Sequence, residues 1–420
     1  MNLKIRLALM NFLEFAAWGA YLTCMGVYLG NIGMGAHIGS FFAMQGIVSI
    51  FMPALMGIVA DRWIPAQKLL GLCHLMAGAF MLACAWYGHT NGANSSYAVL
   101  FTLYSVSVAF YMPTLALTNS VAYNALTKAG MDTVKDFPPI RIFGTIGFIC
   151  TMWFVDLTGF NQTEFQFVTS GVLSLLLFLY SFTLPACEIK KSDGKQSLAE
   201  AFGLQAFALF KRKEMAIFFI FSALLGASLQ ITNGFATPYI QHFETMAEYV
   251  GSFGVEHATI LYSISQISET FCILLIPFFM KRYGIKQVML IAMFAWVMRF
   301  GFLGLGNPGG GIWLFVLSMI IYGMAFDFFN ISGSLYVDKS TDPSIRSSAQ
   351  GLFILMTNGI GATVGSFAAQ QVVNIFTHQE TINDATYTVG NWGAAWTTFS
   401  VYALVVGILF ALIFRPKKVE

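Results

Sequence analysis

Charge is what this sequence has least of. Asp, Glu, Lys and Arg make up 10% of its 420 residues, where a water-soluble domain carries about 25%. No G-x-x-x-x-G-K-[ST] phosphate loop occurs, so no ATP-driven engine is visible. There is no H-E-x-x-H, no G-x-S-x-G and no serine–histidine arrangement, which leaves an intramembrane enzyme without catalytic groups. The six cysteines (Cys24, Cys73, Cys84, Cys150, Cys187 and Cys272) show no Cys-x-x-Cys or Cys/His spacing. They read as small membrane hydrophobes, and no disulfide, metal or cofactor is expected. Lys4 and Arg6 precede an apolar run from Leu7, yet no small-residue cleavage site follows, so that run reads as a retained first helix. The basic residues lie in short connections rather than one patch, which argues against nucleic acid as a partner.

What the chain has in quantity is apolar sequence, 57% of all residues. A run of about 20 such residues spans a hydrocarbon core about 30 Å thick. Twelve runs meet this, over residues 7–29, 38–60, 68–88, 97–124, 139–158, 165–184, 215–240, 256–280, 286–305, 312–337, 346–373 and 392–414. The fourth, tenth and eleventh are long enough to imply tilt or extension beyond the bilayer. Of the 22 Lys and Arg residues, 20 fall in the termini and alternate connections on one side, and the other connections hold none. The remaining two, Arg141 and Arg299, lie inside runs. By the positive-inside rule both termini are cytoplasmic, in a multi-pass bacterial inner-membrane protein.

The longest cytoplasmic connection, Pro185 to Glu214, is polar and Lys-rich, with Ser192-Asp193-Gly194 inside it. It divides an N-terminal bundle over residues 1–184 from a C-terminal bundle over 215–420, with 185–214 as linker. Two six-helix halves joined this way resemble the layout of major facilitator transporters, whose substrate site lies near the midplane between the halves. The link Gly57-Ile-Val-Ala-Asp61-Arg62 matches the first half of that superfamily's G-x-x-x-D-R/K signature. Its second half is lost to Trp63-Ile64-Pro65. Asp61 and Arg62 then read as gating contacts. The fold class expected is all-α and membrane-embedded, with twelve transmembrane helices in two halves.

Polar residues inside these runs carry the functional signal. Trp313 to Val337 is apolar enough to cross a bilayer yet holds Asp327, and a carboxylate there costs several kcal/mol unless paired, hydrated or protonated. Helical spacing, with i, i+3, i+4 and i+7 on one stripe, sorts the rest onto faces. Arg141, Thr145 and Phe148 form a stripe just after Pro138-Pro139, which reads as a helix start. Gln230 pairs with Asn233, Gln266 with Glu269, and Asp327 with Asn330, beside Phe326. Single polar pairs often only glue helices together, but four aligned sets argue for a site.

Two carboxylates, several amides and an Arg make a hydrogen-bonding cage for a hydroxyl-rich neutral solute, and Phe148 and Phe326 suit stacking on a flat ring. A carboxyl group withdrawn from water keeps its proton at higher pH than one in solution, which suits Glu269 and Asp327 to proton coupling. Smaller expectations attach to other charges. Glu14 either joins the cage or faces cavity water, Arg299 snorkels or pairs structurally, and His74 reads as a helix-packing histidine in preference to a proton relay.

Several stretches together resemble the nucleoside–proton symporter family, the bacterial nucleoside permeases of the major facilitator superfamily. They are Phe51 to Asp61, Asp136-Phe-Pro-Pro-Ile-Arg-Ile-Phe-Gly-Thr-Ile-Gly-Phe148, Met215 to Phe221, Leu229-Gln-Ile-Thr-Asn233, Ser263-Ile-Ser-Gln-Ile-Ser-Glu-Thr270 and Tyr322-Gly-Met-Ala-Phe-Asp-Phe-Phe-Asn-Ile-Ser-Gly-Ser334. The resemblance implies a nucleoside importer driven by the proton gradient, working in the lipid bilayer by alternating access. It implies nucleoside contacts at Arg141, Thr145, Phe148, Gln230, Asn233, Gln266, Glu269, Phe326 and Asp327. Glu14 departs from the Gln expected there, and the connections Gln241–Glu256 and Asn374–Asn391 look idiosyncratic. Rivals are a symporter of the same fold for another sugar or polyol, a proton-independent facilitator, and a nucleoside receptor signalling through the 185–214 loop. Nothing in the chain demands more than a monomer.

Overall fold

An apolar run enters a bilayer only if its backbone N–H and C=O groups bond among themselves, and a helix does this within one run. The computed structural model describes residues 2–187, 204–342, 345–382 and 385–415. Their contacts divide the chain into two units, Met1–Met34 with Ile47–Gln196 and Gly35–Gly46 with Ser197–Glu420. The first half of the chain forms α1 (Leu3–Gly19), α2 (Met25–Asn31), α3 (Ile38–Arg62), α4 (Ala66–Asn91), α5 (Tyr97–Tyr111), α6 (Thr114–Lys128), α7 (Thr133–Leu157) and α8 (Phe165–Ser181). The second forms α9 (Lys213–His242), α10 (Phe253–Glu256), α11 (Ala258–Leu305), α12 (Ile312–Ser340), α13 (Arg346–Ile354), α14 (Ala362–Phe376) and α15 (Trp392–Ile413).

Among the described residues, nine helices are long and apolar enough to cross a membrane. Every expected run has a helical counterpart. The first is split over α1 and α2, and the sixth is the 17-residue α8. The eighth and ninth share the 48-residue α11, which breaks at Gly284, where φ is 77°. A side chain resists that left-handed conformation, and glycine does not. The long fourth run divides at Met112-Pro113 into α5 and α6, and the eleventh passes through a π-helical stretch, Leu355–Gly361, between α13 and α14.

Two local features differ from the sequence reading. Pro138-Pro139 is not the start of α7. The helix begins at Thr133 and carries both prolines inside it, each removing one backbone donor. Its first turn is tied down by an ion pair of Lys4 Nζ with Asp136 Oδ1 at 2.6 Å. The other is the connection after α14, whose hairpin the sequence reading does not assign. Thr377–Ile382 (β1) and Ala385–Gly390 (β2) pair antiparallel, Thr377 opposite Gly390. Threonine, isoleucine, tyrosine and valine supply the β-branched and aromatic positions that favour strands. Of the 185–214 linker, Leu204–Lys211 forms a 3₁₀ helix. Lys190, Lys191, Lys195, Ser192-Asp193-Gly194, Lys417, Lys418 and the Asp61 side chain lie outside the described residues.

Close helix approach is built on small residues, as membrane helices require when no solvent drives them together. In the first unit a Cβ on Gly147 of α7 would run into the Phe12 backbone of α1, and one on Gly19 would lie 2.5 Å from the Phe148 carbonyl oxygen. In the second unit a Cβ on Gly323 of α12 would lie 2.7 Å from both Cys272 Sγ and the Ser268 carbonyl oxygen of α11. Ser268 Oγ also donates to the Ile320 carbonyl. These contacts hold two helix pairs, α1 with α7 and α11 with α12, close at the levels where the candidate residues sit.

Candidate substrate and proton site

On α7 the expected stripe forms. Arg141 and Thr145 are half-buried and Phe148 is buried. The Arg141 guanidinium carbon sits 3.8 Å over the ring of Phe15, a favourable cation–π placement. Phe148 meets Trp18 edge-on at 6.2 Å, and Trp18 in turn meets Tyr111 at 6.0 Å. Phe148 thus belongs to an aromatic cluster of its own unit.

The second unit gathers the other six candidates on three helices. Gln230 and Asn233 of α9, Gln266 of α11 and Asp327 of α12 are all buried, and Glu269 and Phe326 are half-buried. Asn233 Oδ1 accepts from the Tyr262 hydroxyl at 3.0 Å, which ties α9 to α11. Asp327 and Glu269 are close enough to interact electrostatically, so α11 and α12 bring both carboxyl groups to one place. Phe326 stacks on Tyr322 with centroids 5.6 Å apart and planes 6° from parallel. Phe326 and Asn330 line a small crevice with Trp296, Thr357 and Asn358.

The decisive feature is what these polar atoms lack. Gln230 Oε1, Gln266 Oε1 and Asp327 Oδ2 are buried without a hydrogen-bond partner among the described residues. Buried acceptors are nearly always satisfied, and each orphan costs about 1–3 kcal/mol. Three orphaned acceptors on three adjoining helices, beside a parallel aromatic pair, suit a ligand that brings several donors and a flat ring.

Comparison with known proteins fits this geometry. The profile of the nucleoside H+ symporter family matches residues 1–419. This chain belongs to the nucleoside H+ symporter family. It is 47% identical to the nucleoside permease NupG of Escherichia coli K12 over the whole chain and 98% of that protein. It is 43% identical to the xanthosine permease of the same strain, covering the whole chain and 99% of that protein. A crystal structure of the nucleoside transporter NupG superimposes with a TM-score of 0.89 at 44% identity, covering 99% of this chain and 100% of that one. An auto-inhibited peptide transporter of the POT family, 12% identical, matches with a TM-score of 0.70 over the whole chain and 98% of that one, a likeness of fold alone. The fold is all-α and of the major facilitator type, in a multi-pass membrane protein.

Two residues at this symporter's site, Tyr262 and Tyr322, are not evident from intramembrane polarity alone. Tyr262, Tyr322 and Arg299 form a linked group behind the carboxyl groups. Arg299 is 0% exposed, so it does not snorkel. Its Nη1 donates to the Ser318 carbonyl at 2.7 Å and to Ser265 Oγ at 3.3 Å. Its guanidinium carbon lies 4.6 Å from the Tyr322 ring centroid and 5.6 Å from that of Tyr262. The signal was spacing, because Tyr262 precedes Gln266 by four residues and Glu269 by seven, and Tyr322 precedes Phe326 by four.

Glu14 corrects the sequence reading. It does not face water, being 0% exposed, and its side-chain partners lie on α4 and α6. His74 Nε2 lies 2.7 Å from its Oε2, Thr118 Oγ1 donates to Oε2 at 2.9 Å, and Thr114 Oγ1 donates to Oε1 at 2.6 Å.

Proposed function

We propose that this chain imports nucleosides across the bacterial inner membrane by proton symport with alternating access. The observation that carries the reading is the set of three orphaned acceptors, Gln230 Oε1, Gln266 Oε1 and Asp327 Oδ2. Ribose hydroxyls and base N–H groups are donors of the kind they lack, and the Tyr322–Phe326 pair offers a flat face to a base. The names of the nucleoside and xanthosine permeases add support. In this reading Gln230, Asn233, Gln266 and Phe326 hold the nucleoside, together with Arg141, Thr145 and Phe148 from the N-terminal half. Asp327 and Glu269 contact it and carry the coupled proton. Two carboxyl groups side by side repel when both are ionised, so adding one proton relieves the pair, and a nucleoside donor to Asp327 Oδ2 links the two events.

The rest of the proposal follows the charge pattern. Residues 1–184 and 215–420 are the two halves, 185–214 is the cytoplasmic linker, and both termini are cytoplasmic. The protein works as a monomer in the bilayer, without cofactor, nucleic acid or enzymatic step.

The test is reconstitution in vesicles with labelled uridine, adenosine and xanthosine, with and without an inward proton gradient. Gradient-driven accumulation that Asp327→Asn abolishes, with nucleoside exchange partly kept, is the expected result. Uptake of a sugar or polyol but of no nucleoside would replace the substrate assignment. Equal uptake with and without the gradient would make the protein a facilitator.

A further inference from the structure

The Glu14–His74 pair is sealed more completely than any residue assigned to substrate. Glu14, His74, Thr114 and Thr118 are all 0% exposed. The pair joins α1 to α4, and the threonines add α6. A structural polar link needs no titrating group, and an amide in place of Glu14 would still accept one of the two threonine hydroxyls. Here a carboxyl group meets an imidazole, the side chain whose ordinary titration falls nearest neutral pH. His74 Nδ1 is buried with no partner among the described residues.

We propose that Glu14 and His74 form a second proton-binding site, in the N-terminal unit, which gates transport. In the alkaline state His74 Nε2–H donates to Glu14 Oε2, the two threonine hydroxyls donate to the same carboxylate, and the pair carries one negative charge. One proton from water then binds, either at His74 Nδ1, giving an imidazolium–carboxylate pair, or on the carboxylate itself. The net charge becomes zero. Removing net charge from a site without solvent is a large electrostatic change, and a proton bound there is trapped until the helices part.

The contacts of the pair carry this change toward the Arg141 stripe. The Tyr111 hydroxyl donates to the Glu14 carbonyl at 2.7 Å, and its ring meets His74 at 5.9 Å and Trp18 at 6.0 Å. Trp18 packs on Phe148. Phe15, the residue after Glu14, lies under the Arg141 guanidinium. The titratable groups around the pair are Cys73 beside His74 on α4, Tyr111 at the end of α5, Tyr21 beyond α1 and Arg141 on α7, all within electrostatic reach of Glu14 or of Tyr111. The packed helix α8 holds no charged residue, and its Tyr180 hydroxyl donates to the Arg6 carbonyl. Arg141 is therefore the positive group placed to feel the pair's charge. The role as a gate of nucleoside uptake rests on the proposed function, whereas proton binding by the pair does not.

The test uses the purified full chain in vesicles. Uridine uptake is followed from about pH 5 to about pH 8, with and without a gradient, for wild type, Glu14→Gln and His74→Gln. Both variants should still exchange uridine, and the midpoint of their gradient-driven uptake should move by about one pH unit or flatten. Folded variants with the wild-type profile would overturn the proposal. If neither folds, Thr118→Val keeps both titrating groups and removes a donor to the charged carboxylate. The uptake midpoint should then move to higher pH, and an unmoved midpoint would equally overturn it. Infrared difference spectra between acid and alkaline pH, taken without nucleoside, isolate the proton. A carboxyl or imidazole band present in wild type and absent from Glu14→Gln and His74→Gln supports the site even if uridine proves not to be a substrate. Identical spectra would refute it.

Discussion

Two buried carboxyl groups in this chain have opposite surroundings. Glu14 is 0% exposed and has two threonine donors at 2.6 and 2.9 Å and the His74 imidazole at 2.7 Å. Asp327, 5% exposed, has an oxygen with no partner among the described residues and a second carboxyl group, Glu269, for a neighbour. The first environment leaves Glu14 no open acceptor for a ligand, only a carboxyl–imidazole pair to share a proton. The second leaves an acceptor for something that comes and goes. Burial alone does not mark a binding carboxylate; an unmet acceptor beside a like charge does.

The contrast breaks most sharply at Asp327. Asp327→Ala should lower gradient-driven nucleoside uptake by about 100-fold, since a charge-assisted hydrogen bond is worth up to about 3 kcal/mol. Its folded stability should scarcely fall, because the orphan goes with the side chain. Thermal melting of the purified protein beside uptake rates checks both halves. A large loss of stability with uptake retained would make Asp327 structural. Glu14→Ala should differ in its stability, costing about 2–4 kcal/mol by leaving His74 and two threonines without their acceptor. Glu14→Gln should cost much less than Glu14→Ala, so the two melting curves separate hydrogen bonding from charge.

Gly323 sharpens the comparison from the scaffold side. Gly323→Val would push against Cys272 and the Ser268 carbonyl and spread α11 from α12. Because that contact keeps Glu269 near Asp327, uptake should fall about tenfold through misplacement of the site. Binding of uridine, measured by calorimetry, should weaken in parallel. At Phe326→Ala the loss should be smaller, about 3–10-fold in nucleoside affinity, the worth of one aromatic contact. Uptake of a polyol by the same symporter, if it occurs, should be indifferent to that change.

Most of this was legible in the sequence for a definite physical reason. Charge cannot sit in hydrocarbon by accident, so Arg141, Glu269 and Asp327 stand out from the apolar runs around them, and the Lys and Arg pattern numbers the runs. What stayed hidden obeys different rules. Glu14 has the same sequence signature as Asp327, a lone acid in an apolar run. Only partners distant in the chain distinguish the two: His74 on α4, 60 positions away, and the threonines on α6, 100 and 104 positions away. The β-hairpin after α14 lies outside the membrane pattern altogether. Pro138-Pro139 misled because a proline pair costs a helix donors without always ending it, and the Lys4–Asp136 ion pair anchors the turn before it. Tyr262 and Tyr322 hid because a tyrosine in an apolar run is unremarkable until the Tyr262 hydroxyl is seen on Asn233 and the Tyr322 ring on Phe326.

Tyr262 gives the smallest and most diagnostic effect. Its hydroxyl donates to Asn233 Oδ1 at 3.0 Å, whereas the nearby Gln230 and Gln266 oxygens have no donor among the described residues. Tyr262→Phe removes that donor and keeps the ring beneath Arg299, so one more acceptor joins the orphaned set. Hydrogen bonds between membrane helices average about 0.6 kcal/mol, which corresponds to a change of about threefold. If the Tyr262 hydroxyl only orients Asn233 for the nucleoside, affinity for every nucleoside should fall by that factor. If Asn233 is instead held out of the way, freeing it lets its oxygen accept from the ligand, and affinity should rise. Binding of uridine and of 2′-deoxyuridine to Tyr262→Phe separates these cases: an equal fall for both places Asn233 away from the 2′-hydroxyl, and a gain confined to uridine assigns that hydroxyl to Asn233.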